Sequence, residues 1–172
     1  MSLHDILKKA IETEEMGYRF YAEQSNAAKN PLAKTLLGEL AADEKRHATW
    51  FRQVVEQMKN GGGPVNWPSG AAPEMEARMK QYFESMEESV WAGSTDTQED
   101  VLKMAIALER ESYGVYHGLF EKAASDMEKE FFNRLRLEEY DHLVSLENVL
   151  TYLTKTGIWF DVEETKRWNW MV

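Results

Sequence analysis

Glu44 and His47 stand three residues apart, and Glu139 and His142 repeat the spacing. In each case another glutamate, Glu14 or Glu109, precedes the pair by thirty residues. Carboxylate and imidazole groups serve as general acids and bases, and together they hold divalent cations. The chain has no cysteine. That excludes disulfides, iron–sulfur clusters, thiolate zinc sites and thiol nucleophiles, so any metal chemistry here uses oxygen and imidazole ligands. By chance about one histidine in ten has a glutamate three residues before it. A single pair on a helix surface would therefore mean little, but two pairs at matched positions require an explanation.

The match extends well beyond these residues. At an offset of 95, Asp5 aligns with Asp100, Leu7 with Leu102, Ala10-Ile11 with Ala105-Ile106, and Glu14 with Glu109. Tyr18 and Tyr21 align with Tyr113 and Tyr116, Leu40 with Leu135, and Val54 with Val149, all without a gap. A period this long marks a duplicated half-domain rather than a solenoid repeat.

Each half reads as two helices. Ser2 and Thr97 each precede an aspartate by three residues, a capping pattern ahead of an apolar-periodic run. Asn30-Pro31 and Ser125-Asp126 start the next helix in each half, since Asn and Ser cap well and proline suits the first turn. The spacing predicts helices over 3–28, 31–59, 98–123 and 126–154. The short links between partners imply antiparallel pairs. The expected architecture is one all-α domain spanning 1–172: a helix pair over 2–60, a crossover over 61–96, a second pair over 97–155, and a tail over 156–172. GGGPVNWPSGAAP at 61–73 is the clearest breaker, residues 74–92 look like a short amphipathic helix, and Trp159, Phe160, Trp168 and Trp170 fill the tail.

The acidic residues fall on the apolar stripes. One helix reads Leu37, Leu40, Glu44, His47, Phe51, Val54, Met58, and its repeat reads Phe132, Leu135, Glu139, His142, Leu146, Val149, Leu153. Steps of three and four define the packed side of a helix. Glu14 and Glu109 lie mid-stripe on the other two helices. Four carboxylates facing one interior repel each other and lose hydration. No lysine or arginine shares these stripes. Two divalent cations would balance the four carboxylates, and the two imidazoles would complete a six-ligand set. One Glu from each of two helices with Glu-x-x-His from each of the others is the arrangement of di-iron carboxylate bundles. The competing account is a bundle whose buried acids are protonated or bridged by water.

The stretches AIETEEMGYRFYAE, ELAADEKRHA, AIALERESYGVYHG and LRLEEYDHL resemble the rubrerythrin branch of the ferritin-like superfamily. The resemblance covers both halves but not the linker or tail. It implies a ferritin-like four-helix bundle of two pseudo-symmetric helix pairs, with a long crossover carrying a short helix. It also implies that Glu14 and Glu109 are terminal ligands, that Glu44 and Glu139 bridge two metals, and that His47 and His142 complete one metal each. These six residues would act in catalysis through the metals. Tyr21 and Tyr116 lie seven residues after the terminal glutamates; by resemblance they hydrogen-bond ligand carboxylates, and the plainer account is a core aromatic. Asp43 and Glu138 precede the bridging residues; by resemblance such an acid holds a ligand histidine, and the plainer account is an exposed, solvated charge. His4 and His117, with no glutamate three positions before them, read as surface histidines.

Two departures bear on function. Rubrerythrins proper carry a rubredoxin-like domain with a four-cysteine iron site, which this sequence lacks. They also carry a further glutamate three residues after the third-helix ligand, where this chain has Ser112, aligned with Gly17. The resemblance implies a di-iron oxidoreductase, rubrerythrin-like peroxidase activity and a role in oxidative stress. Hydrogen peroxide or dioxygen would be the substrate, and a separate electron-donor protein would restore the two iron ions. A ferroxidase or iron-storage role, and a non-catalytic metal-binding bundle, stand as alternatives; zinc or manganese could replace iron. The formal charge of −10 argues against nucleic acid and anionic lipid as partners. With no apolar stretch of membrane length and no leader-like N-terminus, the expectation is a cytoplasmic chain, with a homodimer as the base-rate assembly.

Overall fold

A computed structural model describes residues 3–60, 75, 78–79 and 96–156. Four long helices account for most of these: α1 (Leu3–Ala27), α2 (Pro31–Lys59), α3 (Asp96–Lys122) and α4 (Asp126–Thr151). A π-helical turn, Tyr152–Thr156, continues α4. There is no strand among the described residues. The described residues form two compact units. One holds α1 with α2 from Lys34 onward; the other holds α3, α4, Met75, Arg78, Met79 and Asn30–Ala33.

The helix starts follow from local chemistry. Asn30 is buried, and its Oδ1 accepts from the backbone N–H groups of Leu32 at 2.9 Å and Ala33 at 3.1 Å, two of the donors that a helix leaves without an internal partner. Pro31 opens α2 without loss, because the N–H it lacks would have had no helical acceptor. Ser125 caps α4 in extended conformation, its Oγ accepting from Glu128 N at 3.2 Å. Glu128 completes the reciprocal half of a capping box near the turn, accepting from Ala124 N at 2.8 Å. The third start differs from expectation. α3 begins at Asp96, so Thr97 lies in its first turn rather than at its cap. Ser2, the helix expected over 74–92 and the aromatic tail lie outside the described residues, apart from Met75, Arg78 and Met79.

The apolar stripes are buried as read. Leu7, Ala10 and Tyr21 on α1 and Leu37, Leu40, Phe51 and Val54 on α2 are buried. So are Leu102, Ala105 and Tyr116 on α3 and Phe132, Leu135, Leu146 and Val149 on α4. Met58 departs from the reading. It is exposed, because the stripe reaches the last turn of α2, where the covering layer ends. Fully burying such side chains stabilises by about 1.5–3 kcal/mol each. Within the second unit, Arg110 on α3 pairs with Glu147 on α4 at 2.7 Å, and Lys129 near the start of α4 lies over the ring of Phe120 near the end of α3, so the two helices run antiparallel. No helix among the described residues is long and apolar enough to cross a membrane.

The two caps differ in burial, and their removal should differ accordingly. Asn30→Ala strands two buried N–H groups and should cost about 1–2 kcal/mol. Ser125→Ala, at an exposed cap, should cost about 0.5–1 kcal/mol. Urea unfolding midpoints of the two variants measure the difference.

Candidate metal centre

The six residues expected to bind metal are all buried, with relative exposures from 0% at His47 to 6% at Glu44. In the first unit, Glu14 projects from the middle of α1, and Glu44 and His47 project from one turn of α2. One ligand atom from each of the three lies within 4.8 Å of the others. His47 Nδ1 is 3.1 Å from Glu14 Oε2. The second unit repeats the arrangement with Glu109 on α3 and Glu139 and His142 on α4, again within 4.8 Å of one another. The same two atom types meet there, His142 Nδ1 and Glu109 Oε2, at 3.4 Å. Two donors each about 2.1 Å from one ion, at angles between octahedral and tetrahedral, lie about 3.0 to 3.4 Å apart. The observed separations fall in that range. Each unit also brings together two carboxylates and one imidazole, a donor set whose formal charge one divalent cation cancels. The residues present therefore fit a metal.

Nearby cations are committed to other acids. Arg46 pairs with Asp43 and Arg52 with Glu15 in the first unit. In the second, Arg134 Nε is 3.1 Å from Glu138 Oε1. Asp43 is thus not a solvated surface charge: it is buried, at the ligand turn, and tied to Arg46 one turn on. Glu138 is half-buried, and its ion pair likewise runs along its own helix. Tyr21 and Tyr116 are both buried, as either account of them requires. His117 is exposed and stacks on Tyr113, with centroids 5.8 Å apart, and His4 is half-buried at the start of α1; neither joins a ligand cluster.

Two residues matter more than their types suggested. A Cβ built on Gly17 would lie 2.8 Å from Glu44 Oε2 and 3.2 Å from its Cδ, so the missing side chain is the space that the Glu44 carboxylate fills. Gly17 stands one turn after Glu14, and that adjacency was the available signal. Trp50, buried one turn after His47, lies with its ring centroid 5.5 Å from the imidazole, tilted by 36°, and Arg46 Cζ lies over the Trp50 ring, 5.1 Å from its centroid. Read as sequence alone, it is one more aromatic on a helix rich in them.

Four long helices in two like pairs, each pair carrying a buried Glu/Glu/His cluster, define an all-α, ferritin-like four-helix bundle protein. The chain belongs to the rubrerythrin family, whose model matches residues 5–150. No curated protein matches the chain, and no solved structure matches it. Family and clusters together make this a metal-binding protein.

The Gly17 cradle makes a specific prediction. Gly17→Ala must push the Glu44 carboxylate aside, and metal affinity should fall by about 10-fold or more, as when ligand positioning is lost. Folding stability should hold or rise, because alanine favours a helix interior over glycine by about 1 kcal/mol. Gly114→Ala and Gly118→Ala, whose added Cβ would meet nothing within 4 Å, should raise stability without touching affinity. Calorimetric metal titration alongside urea unfolding separates the two effects.

Proposed function

We propose that this chain is a di-iron carboxylate oxidoreductase that reduces hydrogen peroxide with electrons from a separate donor protein. The observation that carries the reading is the repeated cluster: the same three residue types, buried at the same repeat positions of a rubrerythrin-family chain. Following the family's pattern, Glu14 and Glu109 are terminal ligands, Glu44 and Glu139 are shared between two iron ions, and His47 and His142 complete one ion each. When bound, the iron pair supplies the two electrons that cleave the O–O bond of peroxide, yielding water once two protons are taken up.

What the chain itself supplies is position and charge. Its four buried carboxylates favour divalent cations and need one positive charge apiece. His47 Nδ1 and Glu14 Oε2, and likewise His142 Nδ1 and Glu109 Oε2, stand side by side at separations that let both atoms of each pair face one ion. Gly17 leaves the Glu44 carboxylate its place. Tyr21 and Tyr116, buried seven residues after the terminal ligands, are suited to orient those carboxylates. These 172 residues hold no cysteine with which to build a thiol or iron–sulfur relay, which suits electron supply from a separate donor protein.

Two experiments test the reading. In metal titrations, Glu44→Ala and Glu139→Ala should abolish tight binding, whereas Tyr21→Phe should weaken it by about 10-fold. Equal affinity across the three would overturn the ligand assignment. In stopped-flow absorbance of anaerobically iron-loaded protein, peroxide should oxidise the centre faster than oxygenated buffer does. Faster reaction with oxygen, continuing beyond two irons per chain, would make the protein a ferroxidase; no oxidation by either would leave a non-catalytic metal bundle.

A further inference from the structure

The two units are not equivalent around their histidines. Along α4, Ser145 follows His142 by one turn and Asn148 follows by two. Ser145 is 0% exposed and Asn148 7%, yet neither Ser145 Oγ nor Asn148 Nδ2 has a hydrogen-bond partner. Gln98, in the first turn of α3, is also 7% exposed, and its Nε2 has no partner either. Because α3 and α4 run antiparallel, the start of α3 and the end of α4 share one end of this unit. The three groups therefore follow one direction, from beside His142 toward that end. There α4 gives way at Tyr152 to a π-helical turn, a widening that recurs at functional sites.

The aligned positions of the first unit carry other residues, although Gln57 Oε1, farther along α2, is likewise buried without a partner. Ser145 aligns with Trp50, whose ring lies against His47, Asn148 aligns with the exposed Gln53, and Gln98 aligns with Leu3. An aromatic lies against one histidine, while one turn beyond the other stands a buried hydroxyl, with the two amide donors farther along the same direction. A buried donor without a partner is costly to leave. Three along one path are satisfied most simply by buried small molecules that accept hydrogen bonds, water first among them.

We propose that Ser145, Asn148 and Gln98 line a hydrated path by which small hydrogen-bond acceptors, of the size of water and hydrogen peroxide, reach the Glu109, Glu139 and His142 cluster of the second unit. The inference rests on the proposed function for what travels along the path, but not for its existence. Its class of ligand follows from the groups: Asn148 and Gln98 present N–H donors and Ser145 a hydroxyl, all of them uncharged. The side chains act by positioning and admitting the ligand, and they are not ligands to the metal.

Azide, a linear three-atom acceptor, is the probe for the metal-loaded chain. Its association rate with the ferric protein, followed by absorbance, should fall about tenfold in Ser145→Val and in Asn148→Leu, the equivalent of one lost hydrogen bond. Ser145→Ala, which removes the hydroxyl without adding bulk, should fall less, and Gln53→Leu, at the aligned position in the first unit, should not change it. Metal affinity should be the same in all four. Unchanged azide rates in the two α4 variants, or equal slowing in Gln53→Leu, would overturn the path. A crystal structure of the metal-free full chain provides a readout independent of iron. Ordered waters on Ser145 Oγ and Asn148 Nδ2 are the expected result, and a dry site with Ser145 bonded to the carbonyl of Asp141 would overturn it. Failure of peroxide to oxidise the iron would refute the proposed function and leave both of these readouts standing.

Discussion

Buried carboxylates that need a counter-charge are the constraint around which this structure is organised. Each helix pair places two glutamates and a histidine in its interior, where an ionised carboxylate without compensation costs several kcal/mol. The apolar layers on either side supply what holds the helices together: Leu7, Leu37, Leu40 and Phe51 in one unit, Leu102, Leu135 and Leu146 in the other. The middle layer cannot contribute in that way. It is stabilised by binding, and a cation at a hundred times its dissociation constant adds about 2.7 kcal/mol to the folded state. The flanking apolar residues must therefore be sufficient to assemble the clusters, and the clusters give back stability only when a metal fills them.

Duplication explains why the demand arises twice, and the divergence of the copies shows what is and is not constrained. Glu15 on α1 pairs with Arg52 on α2; at the aligned positions Arg110 on α3 pairs with Glu147 on α4. The bridge persists with its sign reversed. What the helix pair requires at that register is opposite charge across two exposed positions, whichever helix carries which. Exposed bridges contribute little to stability, so exchange of polarity is tolerated. No such exchange is seen among the six cluster residues, where a carboxylate and an imidazole have different tasks and each must occupy its own position.

Much of this was legible before the structure, and the reasons are physical. Steps of three and four placed Glu44, His47, Glu139 and His142 on stripes that proved buried, because helical geometry converts spacing directly into facing. Asn30 and Ser125 were readable as caps because a short polar side chain beside a helix start has one strong use. The failures share a cause as well. Thr97 lies inside α3 because Asp96, one residue earlier, can start the helix equally well, and terminal residues are set by small differences. Met58 is exposed because a stripe does not say where its cover stops. Asp43 looked like a surface charge until Arg46, three residues on, was seen to satisfy it in place. Trp50 was invisible as a site residue, and Gly17 showed only as a neighbour of Glu14, because their roles are steric, and steric roles depend on what stands opposite rather than on residue type.

The residues that do not bind metal are the ones that decide what the metal does. The family pattern includes a further glutamate after the third-helix ligand, and this chain has Ser112 there and Gly17 at the aligned position. On the Gly17 side the reason is spatial: even a methyl group would meet the Glu44 carboxylate, so a longer acid at that position and Glu44 in its present place exclude each other. Ser112 is half-buried and brings no charge. Each cluster is thus left with two carboxylates to one histidine, without a further acid at the position where the family pattern has one. Beyond the ligands themselves, what distinguishes the two clusters is the side chains that flank His47 and His142. Trp50 closes one flank with an apolar ring. Ser145 leaves the other polar and buried. In a chain duplicated down to the spacing of its ligands, the two histidines therefore have unlike neighbours one turn on, an aromatic ring in one unit and a buried hydroxyl in the other.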